Sequence, residues 1–173
     1  MTSALRIRPA TLDDLPALVE IYNHYVVHTP ITFDLQPFTI EGRRQWFDDH
    51  AGGRHRLLVA TDEDNGVLGY ATTSRWRPKA AYDTTVESSI YCRADSVGRG
   101  IGSTLYGALF EAMVHEGVHR IVAGATMPND ASVALHKRFA FREVGVFSSV
   151  GFKFGRYWDV AWFERATAET AKK

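Results

Sequence analysis

The apolar positions of the chain change their period several times, and each change marks an element. Residues Leu5 to Arg8 alternate apolar and polar, which predicts a short strand. Pro9 halts it, and Thr11-Leu12-Asp13-Asp14 reads as a capping box that opens a helix. Leu15, Leu18, Val19, Tyr22, Tyr25 and Val26 then recur at spacings of three and four, so this helix has one apolar face and is expected to end near His28 to Pro30. The stretch from His28 to Phe38 is irregular. A second helix is expected from Thr39, presenting Trp46 and Phe47, with Gly42 weakening its first turn.

Beyond this point the period falls to two. Arg56 to Thr61 and Val67 to Ser74 are β-rich runs around Asp62-Glu63-Asp64-Asn65-Gly66, whose Asn-Gly pair tolerates positive φ and predicts an antiparallel hairpin. A polar, aromatic connection, Arg75 to Asp83, precedes a strand from Thr84 to Arg93. There Val86, Ser88, Ile90 and Cys92 alternate with Thr85, Glu87, Ser89 and Tyr91, as in a central strand. After Gly98 to Gly102, a helical pattern of Ile101, Leu105, Ala108, Leu109, Ala112 and Met113 is stopped by Gly117. Arg120 to Thr126 returns as a strand, Asn129 or Asp130 caps a short helix from Ala131 to Phe139, and Phe141 to Phe147 and Arg156 to Glu164 close the chain as strands. The order β-α-α-β-β-β-α-β-α-β-β predicts an α/β (α+β) fold in which helices cover a mixed sheet. Residues 1–165 read as a single domain and residues 166–173 as a polar C-terminal tail.

Composition narrows the function classes. Lys and Arg number 20 and Asp and Glu number 20, so the net charge over 173 residues is zero and no global field attracts nucleic acid or an anionic membrane. Apolar residues at 45% and charged residues at 23% suffice for a core, which excludes disorder over most of the length. No apolar run approaches the roughly 18 to 20 residues of a membrane helix, and Met-Thr-Ser-Ala-Leu-Arg lacks the apolar segment of a secretory signal, so a cytoplasmic location is expected. Cys92 is the single cysteine, which forbids an intrachain disulfide and a multi-cysteine zinc site.

The strongest local signal is a strand followed by Ser96-Val97-Gly98-Arg99-Gly100-Ile101-Gly102-Ser103 and then a helix. Glycines let the backbone turn sharply and approach a ligand closely, and the free N–H groups at the helix start suit an anion such as a pyrophosphate. Taken alone, the same glycines also fit a tight turn with no ligand. An ATPase phosphate loop is excluded, because Gly102 stands where the lysine before Ser103 is needed. A dinucleotide fingerprint is excluded too, since the glycines are evenly spaced and the next strand ends at Thr126-Met127 without an acidic residue. His115-Glu116-Gly117-Val118-His119 matches the zinc-protease pattern, yet Gly117 ends a helix and Ile121 opens a strand, which puts the two histidines on different elements. No metal site is expected.

With these residues in place the chain resembles the GNAT superfamily of acetyl-coenzyme A dependent N-acetyltransferases. The glycine segment aligns with their pyrophosphate loop, with Val97 replacing its leading polar residue. Closer resemblance is to the phosphinothricin and methionine sulfoximine acetyltransferase branch, carried by Asn23-His24-Tyr25, Ala81-Tyr82-Asp83, Val86-Glu87-Ser88, Gly102-Ser103-Thr104-Leu105-Tyr106, Pro128-Asn129-Asp130, Gly151-Phe152-Lys153 and Trp158-Asp159-Val160. It implies a mostly antiparallel central sheet, an acetyl-CoA co-substrate, direct attack by a small amino-acid-like amine in a ternary complex, and a homodimer. By the same resemblance, Ile90, Tyr91 and Cys92 pair with the pantetheine arm, while Gly98, Arg99, Gly100, Ile101, Gly102 and Ser103 cradle the pyrophosphate. Asn129 contacts the cofactor, with helix capping as the alternative. Glu87 is the implied base, and His136, where many relatives have tyrosine, is a proton relay or else a packed core histidine. Ala140 replaces a usual glycine, which implies a slightly strained helix end. An acceptor with an anionic group needs cations beside the amine: Arg75 and Arg77 suit a carboxylate, Trp76 walls the methylene chain, and Phe33 and Tyr82 close the sides. Two alternatives share the cradle: an acetyltransferase acting on a protein N-terminus or lysine, and a coenzyme A sensor without a base, which Glu87 argues against.

Overall fold

The structure is a computed structural model that describes residues 5–167. Its elements run β1 (Arg6–Pro9), α1 (Leu15–His28), α2 (Arg44–Asp48), β2 (Ala51–Gly52), β3 (His55–Thr61), β4 (Val67–Arg75), β5 (Thr85–Cys92), α3 (Ile101–Met113), β6 (Arg120–Met127), α4 (Asp130–Arg138), β7 (Arg142–Lys153) and β8 (Arg156–Ala166). Apart from the two-residue β2, this is the order the periodicities predict. The capping box at the start of α1 is present, with Thr11 and Asp14 each bonding the other's backbone. In the β3–β4 turn it is Asn65, at φ 62°, that takes the left-handed conformation.

The strands form one sheet in the order β1-β3-β4-β5-β6-β8-β7, with β2 beside β3. Every pairing is antiparallel except β5 with β6. Alternation sends neighbouring residues to opposite faces. Leu58, Ala60, Ala71 and Val86 pack under α3 with Leu105, Leu109 and Met113. Leu57, Val59 and Tyr70 pack under α1 with Leu18 and Ile21. Helices thus seal both faces of β4, whose residues from Val67 to Thr73 are all buried.

Three sequence expectations are corrected. The second helix does not start at Thr39: a 3-10 turn, Glu41–Arg43, precedes an α-helix of only five residues. β7 does not stop at Phe147 but continues to Lys153, because register shifts opposite β8 absorb Ser148 to Val150, which read as a break. The polar tail does not begin after residue 165. Ala166 is in β8, and Thr167 is buried with its hydroxyl donating to the Val118 carbonyl; the rest of the tail lies outside the described residues.

Candidate active site

The site arises where two parallel strands part. β5 and β6 pair only over Thr85–Glu87 and Arg120–Val122. Beyond Glu87, β5 keeps its antiparallel partner β4, and β6 keeps β8, so the strands splay like a V. The β5 edge from Ser88 to Cys92 therefore presents peptide groups that no β6 residue satisfies, the arrangement an extended amide-bearing ligand can complete. A cleft of about 540 Å³ fills the opening. Ile90, Tyr91 and Cys92 line one wall, Asn129, Ser132 and His136 another, and Gly98, Gly100, Gly102 and Ser103 its mouth.

The glycines have separate reasons. Gly98 and Gly100 take φ of 84° and 78°, and a Cβ at either would meet open space, so their requirement is backbone conformation. Gly102 lies in the first turn of α3, where a Cβ would sit 3.5 Å from Ile90 Cδ1 and 3.6 Å from Leu135 Cδ2. The first N–H groups of α3 have no intrahelical acceptor and lie at the cleft mouth, a natural seat for a diphosphate. Two members of the expected cradle contribute no side chain: Ile101 is in the core, and Arg99 is exposed and does not line the cleft. Together the free strand edge and the glycine mouth fit a coenzyme with a peptide-like arm and a pyrophosphate.

Titratable groups flank β5 on both faces. Glu87 is half-buried on the α1 face, and burial holds its carboxyl above the ordinary value, with Arg77 pulling it back down. On the α3 face, His136 is 2% exposed and stacks on Phe163. Its Nδ1 faces the Ser132 carbonyl at 2.7 Å, so that nitrogen carries the proton. Burial lowers its pKa, which leaves Nε2 an acceptor facing the Tyr106 hydroxyl at 3.5 Å. Tyr106 also approaches Ser88 Oγ at 3.4 Å. Burial pushes the Cys92 thiol up to about 11, which makes it a poor nucleophile. Asn129 Oδ1 caps α4 by accepting from Ser132 N at 3.1 Å, and the residue also lines the cleft.

The expected acceptor residues divide. Trp76 and Tyr82 meet edge to face at 5.1 Å, and the Arg77 guanidinium lies 4.8 Å from the Trp76 ring centre. Arg75 does not join them. Directly opposite Val86, it occupies the other face from Glu87, pairs with Asp83 at 3.2 Å, and lines a second cleft with Arg54 and His55. Phe33 packs on Gly151, whose missing Cβ would lie 2.1 Å from the ring. His115 sits in the turn after α3 and His119 ahead of β6, and Glu116 is engaged by Arg56. The sequence reading missed Tyr25, Ser88 and Tyr106, which line the cleft. The Tyr25 hydroxyl donates to the Cys92 carbonyl at 2.6 Å, a contact across 67 positions that no local pattern reveals. Tyr106 had a signal, its place in the first turns of the helix behind the glycines.

This sheet, with its strands parted beside a glycine-mouthed helix, is that of an acyltransferase that draws its acyl group from a coenzyme A thioester. Residues 18–141 match the Acetyltransferase (GNAT) family, and the chain belongs to it. It is an acetyl-CoA dependent N-acetyltransferase. It is 54% identical to a phosphinothricin N-acetyltransferase of Streptomyces coelicolor, over 95% of this chain and 97% of that one. An L-methionine sulfoximine/L-methionine sulfone acetyltransferase of Pseudomonas aeruginosa is 39% identical over 91% of this chain and 92% of its own. Among solved structures, a GNAT superfamily phosphinothricin acetyltransferase from Sinorhizobium meliloti in complex with AcCoA superposes with a TM-score of 0.92. It shares 33% identity, covering 100% of this chain and 93% of that one.

Proposed function

We propose that this chain, as one domain, acetylates the amine of a small, anion-bearing amino-acid analogue of the phosphinothricin or methionine sulfoximine type, by direct attack in a ternary complex. The observation that carries the reading is the half-buried Glu87 at the fork of β5 and β6, one residue before the free strand edge begins. The names of the relatives support the acceptor class. When bound, acetyl-CoA supplies an activated acetyl thioester. Ile90, Tyr91 and Cys92 hold its arm along the strand edge, and the N–H groups of Ile101, Gly102 and Ser103 take the pyrophosphate.

Glu87 removes a proton from the acceptor ammonium, which has no lone pair until it is deprotonated. Its raised pKa brings it nearer to an amine than an exposed glutamate would be. On the other face, the Tyr106 hydroxyl donates its proton to Nε2 of neutral His136, so the pair forms a proton relay in the wall of the cleft. Arg77 and Trp76 hold the acceptor's carboxylate and methylene chain. A cytoplasmic homodimer completes the reading, and the exposed apolar side chains of β7 support its assembly.

Release of free thiol from acetyl-CoA, measured against phosphinothricin, methionine sulfoximine, neutral amines and peptides, tests the reading. Turnover of the first two and neglect of peptides is expected. Acetylation confined to peptides would remove the acceptor class, and turnover of neutral amines alone would remove the anionic group from it.

A further inference from the structure

Among the buried titratable groups on the Glu87 face that the mechanism leaves unused is His50. His50 lies in the turn between α2 and β2 and is 9% exposed, yet both ring nitrogens are engaged. Nδ1 lies 2.6 Å from the Trp46 carbonyl, and Nε2 lies 2.9 Å from Ser74 Oγ. A carbonyl only accepts, so Nδ1 carries the proton. Burial lowers the pKa of His50, and the imidazole is neutral at physiological pH. Nε2 is then bare, and the Ser74 hydroxyl must donate its single proton to it. Ser74 is half-buried and stands directly opposite Glu87 in the β4–β5 pair, which places both side chains on one face as close neighbours.

We propose that His50 is a positioning residue for acetyl transfer: it commits the Ser74 proton away from the site, so that only hydroxyl lone pairs face Glu87. The inference rests on Glu87 being the base. Lone pairs repel a carboxylate and accept a hydrogen bond from the carboxylic acid. When Glu87 takes a proton from the acceptor ammonium, the N–H bond breaks, an O–H bond forms, and Ser74 Oγ is the waiting acceptor. Without His50 the hydroxyl rotates and donates to the carboxylate, which makes the base weaker. Other charges act here too: Arg77 on Glu87, and Arg43, His55 and Asp49 on His50. None of them sets the direction of the Ser74 proton.

The experiment is the pH profile of kcat/KM in the full-length enzyme. His50→Leu is expected to move the acid limb down by about 0.5 to 1 pH unit, as a hydrogen bond to the charged form does. His50→Gln, whose amide can donate to the Trp46 carbonyl and accept from Ser74, is expected to keep the limb in place. Ser74→Ala removes the acceptor of the protonated acid and also lowers the limb, and adding His50→Leu to it moves the limb no further. A lowered kcat with an unmoved limb in both His50→Leu and Ser74→Ala would overturn the proposal, as would a His50→Leu shift that persists without Ser74. Should His50→Leu fail to fold, Ser74→Ala alone decides. Glu87→Gln separates the two readings. A wild-type rate there removes the base and the role of His50 with it, whereas a slow rate with the acid limb abolished keeps the base, and the limb positions of the other variants then decide for or against His50.

Discussion

Glu87, the proposed base, carries a cost in stability. Burial raises its carboxyl pKa in the folded chain, with Arg77 opposing, so the folded state binds the proton more tightly than the unfolded one. As pH rises through the interval between the unfolded value and the raised one, the unfolded chain ionises first and stability falls. Below that interval nothing is lost. Glu87→Gln is expected to lower kcat by about 10²-fold or more, yet to gain stability over the parent as pH rises toward neutrality. Denaturant titrations at acid and neutral pH, beside steady-state kinetics, check both halves; equal stability differences at the two pH values would contradict the linkage. The arginines make a second test. Arg75 is spent on Asp83 and the Pro78 carbonyl, whereas Arg77 lies over Trp76 and acts on Glu87. Arg77→Ala is expected to raise KM for an anionic acceptor by about 1.5 to 3 kcal/mol, the range of hydrogen bonds to charged groups, and a neutral amine far less. Arg75→Ala should leave that discrimination in place. Sequence placed both arginines on one loop and could not separate them, because the division comes from strand register at Ser74 and Glu87.

At the scale of elements, the glycine turn and the end of α4 show what was legible. Both were visible as departures from, or matches to, a local backbone requirement. Gly100 caps α3 in the left-handed region at φ 78°, and Val there is expected to distort the turn and raise the acetyl-CoA KM strongly, with little change at saturating cofactor. A folded Gly100→Val variant with unchanged cofactor affinity would take the turn out of the site. Ala140 is the converse case: it follows α4 at φ 58°, where a Cβ is costly, so the strain expected from its replacing a glycine is present. Ala140→Gly should stabilise the protein by about 0.5 to 1 kcal/mol, read as a rise in thermal midpoint. The elements that sequence misjudged are those whose ends depend on partners. β7 lengthens because β8 tolerates its bulges, and α2 shortens because its first turn winds as 3-10.

At the scale of the whole molecule, alternation and helical period were enough for a helix-covered mixed sheet, since each element carries its own apolar stripe. They did not reveal the fork of β5 and β6, which exists only as a difference between two registers set by β4 and β8. Tyr25 and His50 were hidden for the same reason: each acts on a strand remote from it in sequence. The far edge of the sheet poses the remaining question. In β7 every residue from Arg142 to Val150 is exposed, on both faces of the strand. Val144, Val146, Phe147 and Val150 are each more than half exposed there, with Phe152, Phe154 and Tyr157 beside them. An edge strand with such a surface invites pairing unless it is covered. A second copy of the chain is the cover that the proposed homodimer supplies. Phe147→Glu places a charge in that surface without touching the buried core of the sheet. The variant is expected to sediment as a monomer at concentrations where the parent is a dimer, with unchanged circular dichroism. A parent that sediments as a monomer, or a Phe147→Glu variant that still dimerises, would move the interface elsewhere and leave this apolar edge without its partner.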